Sequence, residues 1–287
     1  MACVYLNGEY LPPEQACVPV LDRGFLFGDG VYEVIPAYGG HLLRLGQHLQ
    51  RLDNSLNGIR LDNPHSLDEW REILENIVAR NEGTDQSIYL QVTRGVSARD
   101  HAFPPGDVQP TVFVMSNPLS TPEPALLQNG IAAILVEDIR WRFCHIKAIA
   151  LLPNILLRQQ ARDVEAFEAI LQRDGKITEG AASNVFIVRD GTIMTPPSGE
   201  CLLPGITRDL VLELAAQHGL SHAEADIDID TLKCADEIWL TSSTKEILPV
   251  TSLDGQPVGN GRPGPLWRQM LDYYQAYKQA LRTGEAS

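Results

Sequence analysis

Between Ser116 and Pro124 the sequence runs SNPLSTPEP, with three prolines and no apolar periodicity. Proline has a fixed φ and no backbone N–H, so the stretch suits neither a helix nor a central strand. On either side of it a pattern of strands and helices starts afresh, which makes it the candidate linker. The expected fold class is α+β: an N-terminal domain over 1–116, a linker over 117–124, and a C-terminal domain over 125–287. A chain of 287 residues has ample core for two such domains.

Turn chemistry and hydrophobic period divide each region further. Asn7-Gly8 between Val4–Leu6 and Tyr10–Leu11 predicts a two-residue hairpin. Val31–Tyr38 reads as a strand, and Gly39-Gly40 as a turn. Leu42, Leu45, Leu49, Leu52, Leu56 and Ile59 recur at steps of three and four, predicting a helix from 42 to 59. A second helix is expected over 66–80 with Ser66 as N-cap. Strands are expected at 87–93 and 111–115. In the second region, strands are expected at 131–136, 166–172, 176–178, 184–188, 192–194 and 237–241. Asp174-Gly175 and Asp190-Gly191 supply hairpin turns, and helices are expected at 154–164, 207–218 and 266–281.

Composition bounds the function. With 44% hydrophobic and 21% charged residues the chain is an ordinary globular protein. Its net charge of −14 argues against a nucleic-acid or anionic-membrane partner, both of which need clustered Lys and Arg. It also means that a small anionic substrate needs a local pocket of positive charge. The first residues show no signal peptide, and no run of about 18 apolar residues predicts a membrane span. The five cysteines form no CxxC pair, so reduced thiols and a cytoplasmic location are expected, with no metal site.

Several residues are candidates for chemistry. Lys147 lies in the apolar run HIKAIALL, where desolvation favours a neutral, nucleophilic amine. Composition alone favours a lysine that snorkels to water. Gly205-Ile206-Thr207 opens a helix whose first N–H groups and threonine hydroxyl suit a phosphate, although a plain turn and N-cap look the same in sequence. The hydroxyl run Thr241–Thr244 follows a strand and offers further phosphate ligands. Glu179 precedes the small residues of GAAS and faces either a ligand or solvent. Arg99 and His101 sit two apart in a loop, as a carboxylate-binding pair or a solvated basic loop. Arg51 lies off the leucine stripe, so pattern alone predicts a solvated side chain. His218 and His222 share the i, i+4 spacing of metal ligands, but Gly219 interrupts the helix between them. Gly28-Asp29-Gly30 lacks the third glycine and the preceding strand of a dinucleotide fingerprint.

In this order and spacing, the segments LDRGFLFGDGVYEV, HLQRL, QVTRG, EDIRW, IKAIALLPNILLRQQA, TEGAASNVF, GITRD and LTSSTKEILPV resemble the fold-type IV pyridoxal-phosphate enzymes. These include D-amino acid aminotransferases, branched-chain aminotransferases and aminodeoxychorismate lyases. The resemblance covers nearly the whole chain. It implies a smaller N-terminal α/β domain, a larger C-terminal domain with a mixed or antiparallel barrel-like sheet, and pyridoxal 5′-phosphate at the domain interface. It implies that Lys147 is the Schiff-base lysine, carrying the cofactor as an aldimine and acting as general base and acid. Glu179 would keep the pyridine nitrogen protonated. Arg51, the Ile206 N–H, Thr207 and Ser243 would hold the phosphate, and Leu203 would support the ring. Tyr32 would sit in the substrate pocket.

The loop TRGVSARDHAFP is most similar to the D-amino acid aminotransferases. That likeness implies that Arg99 and His101, with Tyr32, bind the substrate α-carboxylate, and that the loop serves the partner subunit of a homodimer. The implied reaction transfers an amino group from a D-amino acid of the D-alanine type to a 2-oxo acid such as 2-oxoglutarate. Members with D-amino acid activity often carry Ser where this chain has Ala182; Ser183, next to it, is retained as a cofactor-binding candidate. An L-branched-chain aminotransferase and a pyruvate-eliminating aminodeoxychorismate lyase are the alternatives.

Overall fold

The computed structural model describes residues 2–106, 108–120 and 122–285. Residues 1, 107, 121, 286 and 287, which fall in the expected first domain, linker and second domain, lie outside the described residues. The described residues form two compact units. The first takes those of 1–120, 146–151 and 279–287, and the second those of 121–145 and 152–278. Two stretches expected in the second domain, 146–151 with Lys147 and the end of the last helix, therefore group with the first unit.

The first unit contains β1 (Val4–Leu6), β2 (Glu9–Leu11), α1 (Arg23–Phe27), β3 (Gly30–Tyr38), β4 (His41–Leu42), α2 (Leu45–Gly58), α3 (Leu67–Arg80), β5 (Asp85–Thr93) and β6 (Thr111–Pro118). Its strands form a six-stranded antiparallel sheet in the order β2-β1-β6-β5-β3-β4. Asn7 and Gly8 take φ of 49° and 100°, the left-handed pair that a tight hairpin requires. Leu45, Leu49, Leu52 and Leu56 of α2 enter one core with Trp70, Leu74 and Ile77 of α3 and with Ile35, Ile88 and Leu90 of the sheet. Truncating a fully buried leucine here, such as Leu52, costs about 2–5 kcal/mol. The helix expected from 42 starts only at Leu45. Leu42 pairs with Ala37 as β4, and Arg44 takes a left-handed φ of 46° between strand and helix. α3 begins as the sequence predicts: Ser66 caps it in a reciprocal capping box with Glu69.

The second unit contains α4 (Pro124–Asn129), β7 (Ile131–Glu137), α5 (Leu152–Asp163), β8 (Glu168–Arg173), β9 (Lys176–Gly180), β10 (Asn184–Arg189), β11 (Thr192–Thr195), α6 (Ile206–Gln217), β12 (His222–Glu224), α7 (Ile229–Lys233), β13 (Glu237–Ser242), β14 (Glu246–Leu253), β15 (Gln256–Pro257) and α8 (Pro265–Arg282), whose last turn groups with the first unit. Its nine-stranded mixed sheet runs β12-β11-β10-β13-β14-β7-β8-β9, with β15 on β14. The β11–β12, β14–β7 and β7–β8 pairs are parallel. β6 continues to Pro118 and α4 starts at Pro124, so regular structure ends and resumes within the expected linker.

The strand β14 is central yet absent from the sequence reading, because Pro249 interrupts it. Pro249 sits one residue before the pairing with β7 begins at Val250, and the register then shifts between Val250 and Ser252. Helices α1, α4 and α7 have five or six residues each, too few to show a period. Among the described residues, no helix is long and apolar enough to cross a membrane.

Candidate active site

In the first unit, the segment 146–151 lies along β3. The Tyr32 N–H donates to the Lys147 carbonyl at 3.0 Å, and Val31 bridges Ala148. The Lys147 N–H donates to Ser55 Oγ of α2 at 3.1 Å. The backbone of Lys147 is thus held from two sides. Its half-buried side chain extends over the Tyr32 ring, with Nζ 4.3 Å from the centroid. Tyr32 stacks in turn on Tyr89 at 5.6 Å, and burial pushes the Tyr89 phenol up to about 12.

Behind Tyr32, Glu33 points to the other face of β3 and is fully buried. Arg51 Nε donates to Glu33 Oε1 and Arg51 Nη2 to Oε2, both at 2.8 Å. His48 Nδ1 lies 2.7 Å from Oε2. Burial alone would raise Glu33, but Arg51 and His48 outweigh it and hold the carboxyl down at about 2. Burial lowers His48, so the imidazole is neutral and donates through Nδ1 to the carboxylate. Arg51 is 5% exposed. The solvated side chain that the leucine stripe predicts is therefore wrong: β3 covers that flank of α2, and Glu33 supplies the counter-charge.

Arg99 and His101 are exposed on the loop between β5 and β6. They meet at one ring, with the Arg99 guanidinium 5.4 Å from the Phe27 centroid and the His101 ring 5.5 Å from it.

In the second unit, Glu179 is the penultimate residue of β9, at 5% exposure, and is not a solvated corner. Its Oε1 accepts from Arg140 Nη1 at 2.5 Å; its Oε2 accepts from the Leu203 N–H at 3.1 Å and from Asn184 Nδ2 at 3.3 Å. Arg140 also grips Asp138, from Nε at 2.9 Å and Nη2 at 2.8 Å. Burial pushes the Glu179 carboxyl above its ordinary range, and the Asp138 charge adds to this against the pull of Arg140. Leu203 therefore serves Glu179 through its backbone, its carbonyl accepting from Asn184 Nδ2 at 2.9 Å. Gly205 serves the same network: a Cβ there would lie 1.9 Å from Asn184 Oδ1, so the glycine makes room for a side chain.

α6 starts at Ile206, with Gly205 as N-cap and no side-chain cap on its first N–H groups. Thr207 is thus not the N-cap. Its hydroxyl is buried and unpartnered, as are those of Thr241 and Ser183. Ser243 is half-buried in the turn after β13. Uncapped helix N–H groups with orphaned buried hydroxyls suit a phosphate, and a buried carboxylate with hydrogen-bonding capacity left suits a ring N–H. By their chemistry these donors and acceptors of the second unit fit the phosphate and the ring nitrogen of pyridoxal 5′-phosphate. His218 and His222 are exposed.

The sequence reading overlooked Glu33, His48, Asp138, Arg140 and Asn184. His48 and Arg51 are one helical step of three apart, which puts both on one flank of α2, but nothing in sequence points to Glu33 as their shared partner. Arg140 stands in the quoted EDIRW segment without a role.

Taken separately, the first unit carries a half-buried primary amine, and the second a buried acid and a helix start with uncapped N–H groups and orphaned hydroxyls. Comparison with known proteins gives the family. The model of the amino-transferase class IV family matches residues 30–253. A D-alanine aminotransferase of Bacillus licheniformis is 43% identical over 93% of this chain and 94% of its own. Another, of Staphylococcus aureus, is 39% identical over 96% and 98%. The crystal structure of the Escherichia coli branched-chain amino acid aminotransferase superposes with a TM-score of 0.90 at 31% identity, covering 99% of this chain and 96% of that one. The chain belongs to the class IV aminotransferases, pyridoxal-phosphate-dependent enzymes of fold type IV.

Proposed function

We propose that the protein transfers the amino group of a D-amino acid of the D-alanine type to a 2-oxo acid such as 2-oxoglutarate. The observation that carries this reading is the similarity to D-alanine aminotransferases at 39–43% identity over nearly the whole chain, joined with the Arg99–His101 pair. The similarity to the branched-chain enzyme, at 31% identity, supports the shared fold and cofactor apparatus more than the substrate.

The cofactor, when bound, serves as an electron sink for the substrate Cα. The chain's own groups do the rest. Lys147 would hold the cofactor through its Nζ, and its amine, when free, would carry a proton to and from Cα. Tyr32 lies under that amine and limits where it reaches. Glu179 would accept from a protonated pyridine nitrogen, and its position is set by Arg140, Asn184 and the Leu203 N–H. The Ile206 N–H, Thr207, Ser243 and Ser183 hold the phosphate end. Arg51 belongs to the same phosphate-binding set, with Glu33 orienting its guanidinium. Arg99 and His101 bind the α-carboxylate and so choose which hydrogen of Cα faces Lys147.

The working form is a homodimer in the cytoplasm, with the Arg99–His101 loop serving the partner subunit. Val20, Leu21, Phe25 and Val96 support this. They are exposed apolar side chains near that loop, where the Arg23 N–H meets the Gly95 carbonyl and the Ser97 N–H meets that of Leu21. Five free cysteines agree with a reducing compartment.

Borohydride treatment of the holoenzyme should fix the cofactor on Lys147, and Lys147→Ala should abolish both the covalent link and turnover. Mixing holoenzyme with each enantiomer of alanine, glutamate and leucine should bleach the cofactor band with the D forms. Bleaching by L-leucine alone would reassign the enzyme to branched-chain substrates. A protein that cannot be loaded with cofactor would sink the reading entirely.

A further inference from the structure

Gly28-Asp29-Gly30 has no part in the proposed chemistry, yet Asp29 is heavily engaged. Arg23 Nε and Arg94 Nε both donate to its Oδ2 at 2.8 Å. Both arginines are buried, at 4% and 6% exposure. Each then reaches past Asp29 to the loop that carries Arg99 and His101. Arg23 Nη1 donates to the Asp100 carbonyl at 2.6 Å, and its guanidinium lies 4.9 Å from the Phe27 centroid. Phe27 is the ring on which Arg99 and His101 rest. The Arg94 guanidinium lies 3.9 Å from the Phe103 centroid, and Arg60 lies 5.3 Å from the same ring. Arg94 is itself fixed, donating to the Ile59 carbonyl at 2.6 Å and the Arg60 carbonyl at 3.2 Å.

The loop is therefore held at successive residues: 99 and 101 on Phe27, 100 on Arg23, and 103 between Arg94 and Arg60. Phe103 is 49% exposed, so it contributes little as core, and its contacts are with cations. A surface loop that binds a ligand through two long side chains pays an ordering entropy at each binding event. Fixing it in advance removes that cost from substrate binding.

We propose that Phe103, gripped by Arg94 and Arg60, and Asp29, which ties Arg94 to Arg23, are positioning residues that preset the loop so that Arg99 and His101 meet the substrate carboxylate already ordered. The inference rests on Arg99 and His101 being the carboxylate-binding pair. It applies whichever subunit's substrate the loop serves, because every tether lies within one chain.

The test is steady-state kinetics of the cofactor-loaded enzyme with D-alanine and 2-oxoglutarate. Phe103→Leu should raise KM for both substrates about tenfold, with kcat within about twofold and cofactor occupancy unchanged. Phe103→Tyr keeps a ring between the two guanidiniums and should restore KM to within about twofold. Asp29→Asn should raise KM in the same sense as Phe103→Leu. Because Phe103 acts through Arg99 and His101, adding Phe103→Leu to the variant Arg99→Ala/His101→Ala should raise KM no further. If Arg99→Ala leaves KM unchanged, the carboxylate assignment itself fails and the proposal with it. If Arg99→Ala raises KM but Phe103→Leu does not, or if Phe103→Leu raises KM further in the Arg99→Ala/His101→Ala variant, the trap stands and the positioning role is overturned. Joint loss of kcat and cofactor occupancy in Phe103→Leu would make Phe103 a general structural prop, which also overturns it.

Discussion

Glu33 in the first unit and Glu179 in the second are both buried glutamates on strands, and both face an arginine. They end in opposite electrostatic states. Glu33 takes two hydrogen bonds from Arg51 and one from His48, and its carboxyl sits at about 2. Glu179 takes a single Arg140 nitrogen, because Arg140 turns its other donors to Asp138, and its carboxyl is raised by burial and by that neighbouring charge. A buried carboxylate that takes two bonds from one guanidinium and one from an imidazole has its charge compensated in place. One whose arginine is shared keeps an unmet demand for positive charge. In a pyridoxal-phosphate enzyme, a protonated ring nitrogen meets that demand.

The sharpest way to break this contrast is to neutralise each carboxyl. Glu179→Gln should lower kcat by about 10²–10³-fold while leaving folding nearly intact, since Arg140 keeps Asp138. Glu33→Gln should do the reverse, costing about 3–5 kcal/mol in urea unfolding because it leaves a buried arginine short of its counter-charge. Equal kinetic losses from the two changes, with stability untouched, would erase the distinction.

Acid provides a second separation. His48 is lowered from its ordinary 6.5, so below that pH the unfolded chain takes a proton that the folded chain refuses. Stability therefore falls as the pH drops below about 6.5, by up to about 1.4 kcal/mol per pH unit for this group. Glu33 extends the loss from its ordinary 4.5 down towards about 2. Glu179 has the opposite sign: its contribution is present below 4.5 and is lost as the pH rises through its raised value. His48→Gln should flatten the slope between pH 6.5 and 4.5. An unchanged slope would mean that His48 is not the group responsible.

The smallest effect concerns the support of Glu179. Gly205→Ala places a Cβ 1.9 Å from Asn184 Oδ1 and should push the amide off both Glu179 and Leu203. The expected cost is about 1 kcal/mol of stability and about fivefold in kcat. A full effect on stability with none on kcat would detach Asn184 from the chemistry of Glu179.

Much of this molecule is legible before folding. The hairpins at Asn7-Gly8, Asp174-Gly175 and Asp190-Gly191 follow from local φ preferences, and each pair takes positive φ. The capping box at Ser66 and the leucine stripe of α2 are local or periodic as well. What escaped detection lacks a local signal. The strand β14 is masked by Pro249 until its partner's register is known. Arg51 looks solvated because periodicity reports only which residues are apolar, not where a buried counter-charge waits on another element.

By itself the sequence determined the element types, most of their turns and, by resemblance, the family and its cofactor; these rest on short-range chemistry and on motif order. Only the tertiary structure decided the electrostatic state of each site group. It set two nitrogens of Arg51 on Glu33 and divided Arg140 between Asp138 and Glu179. It made Asp29, to which the sequence assigned no role, the tie between Arg23 and Arg94. The physical reason is common to all three. A charge in the interior takes its properties from the charged partners the fold brings within about 3 Å, and in each case at least one of them, Glu33 for Arg51, Glu179 for Arg140 and Arg94 for Asp29, lies on a separate element.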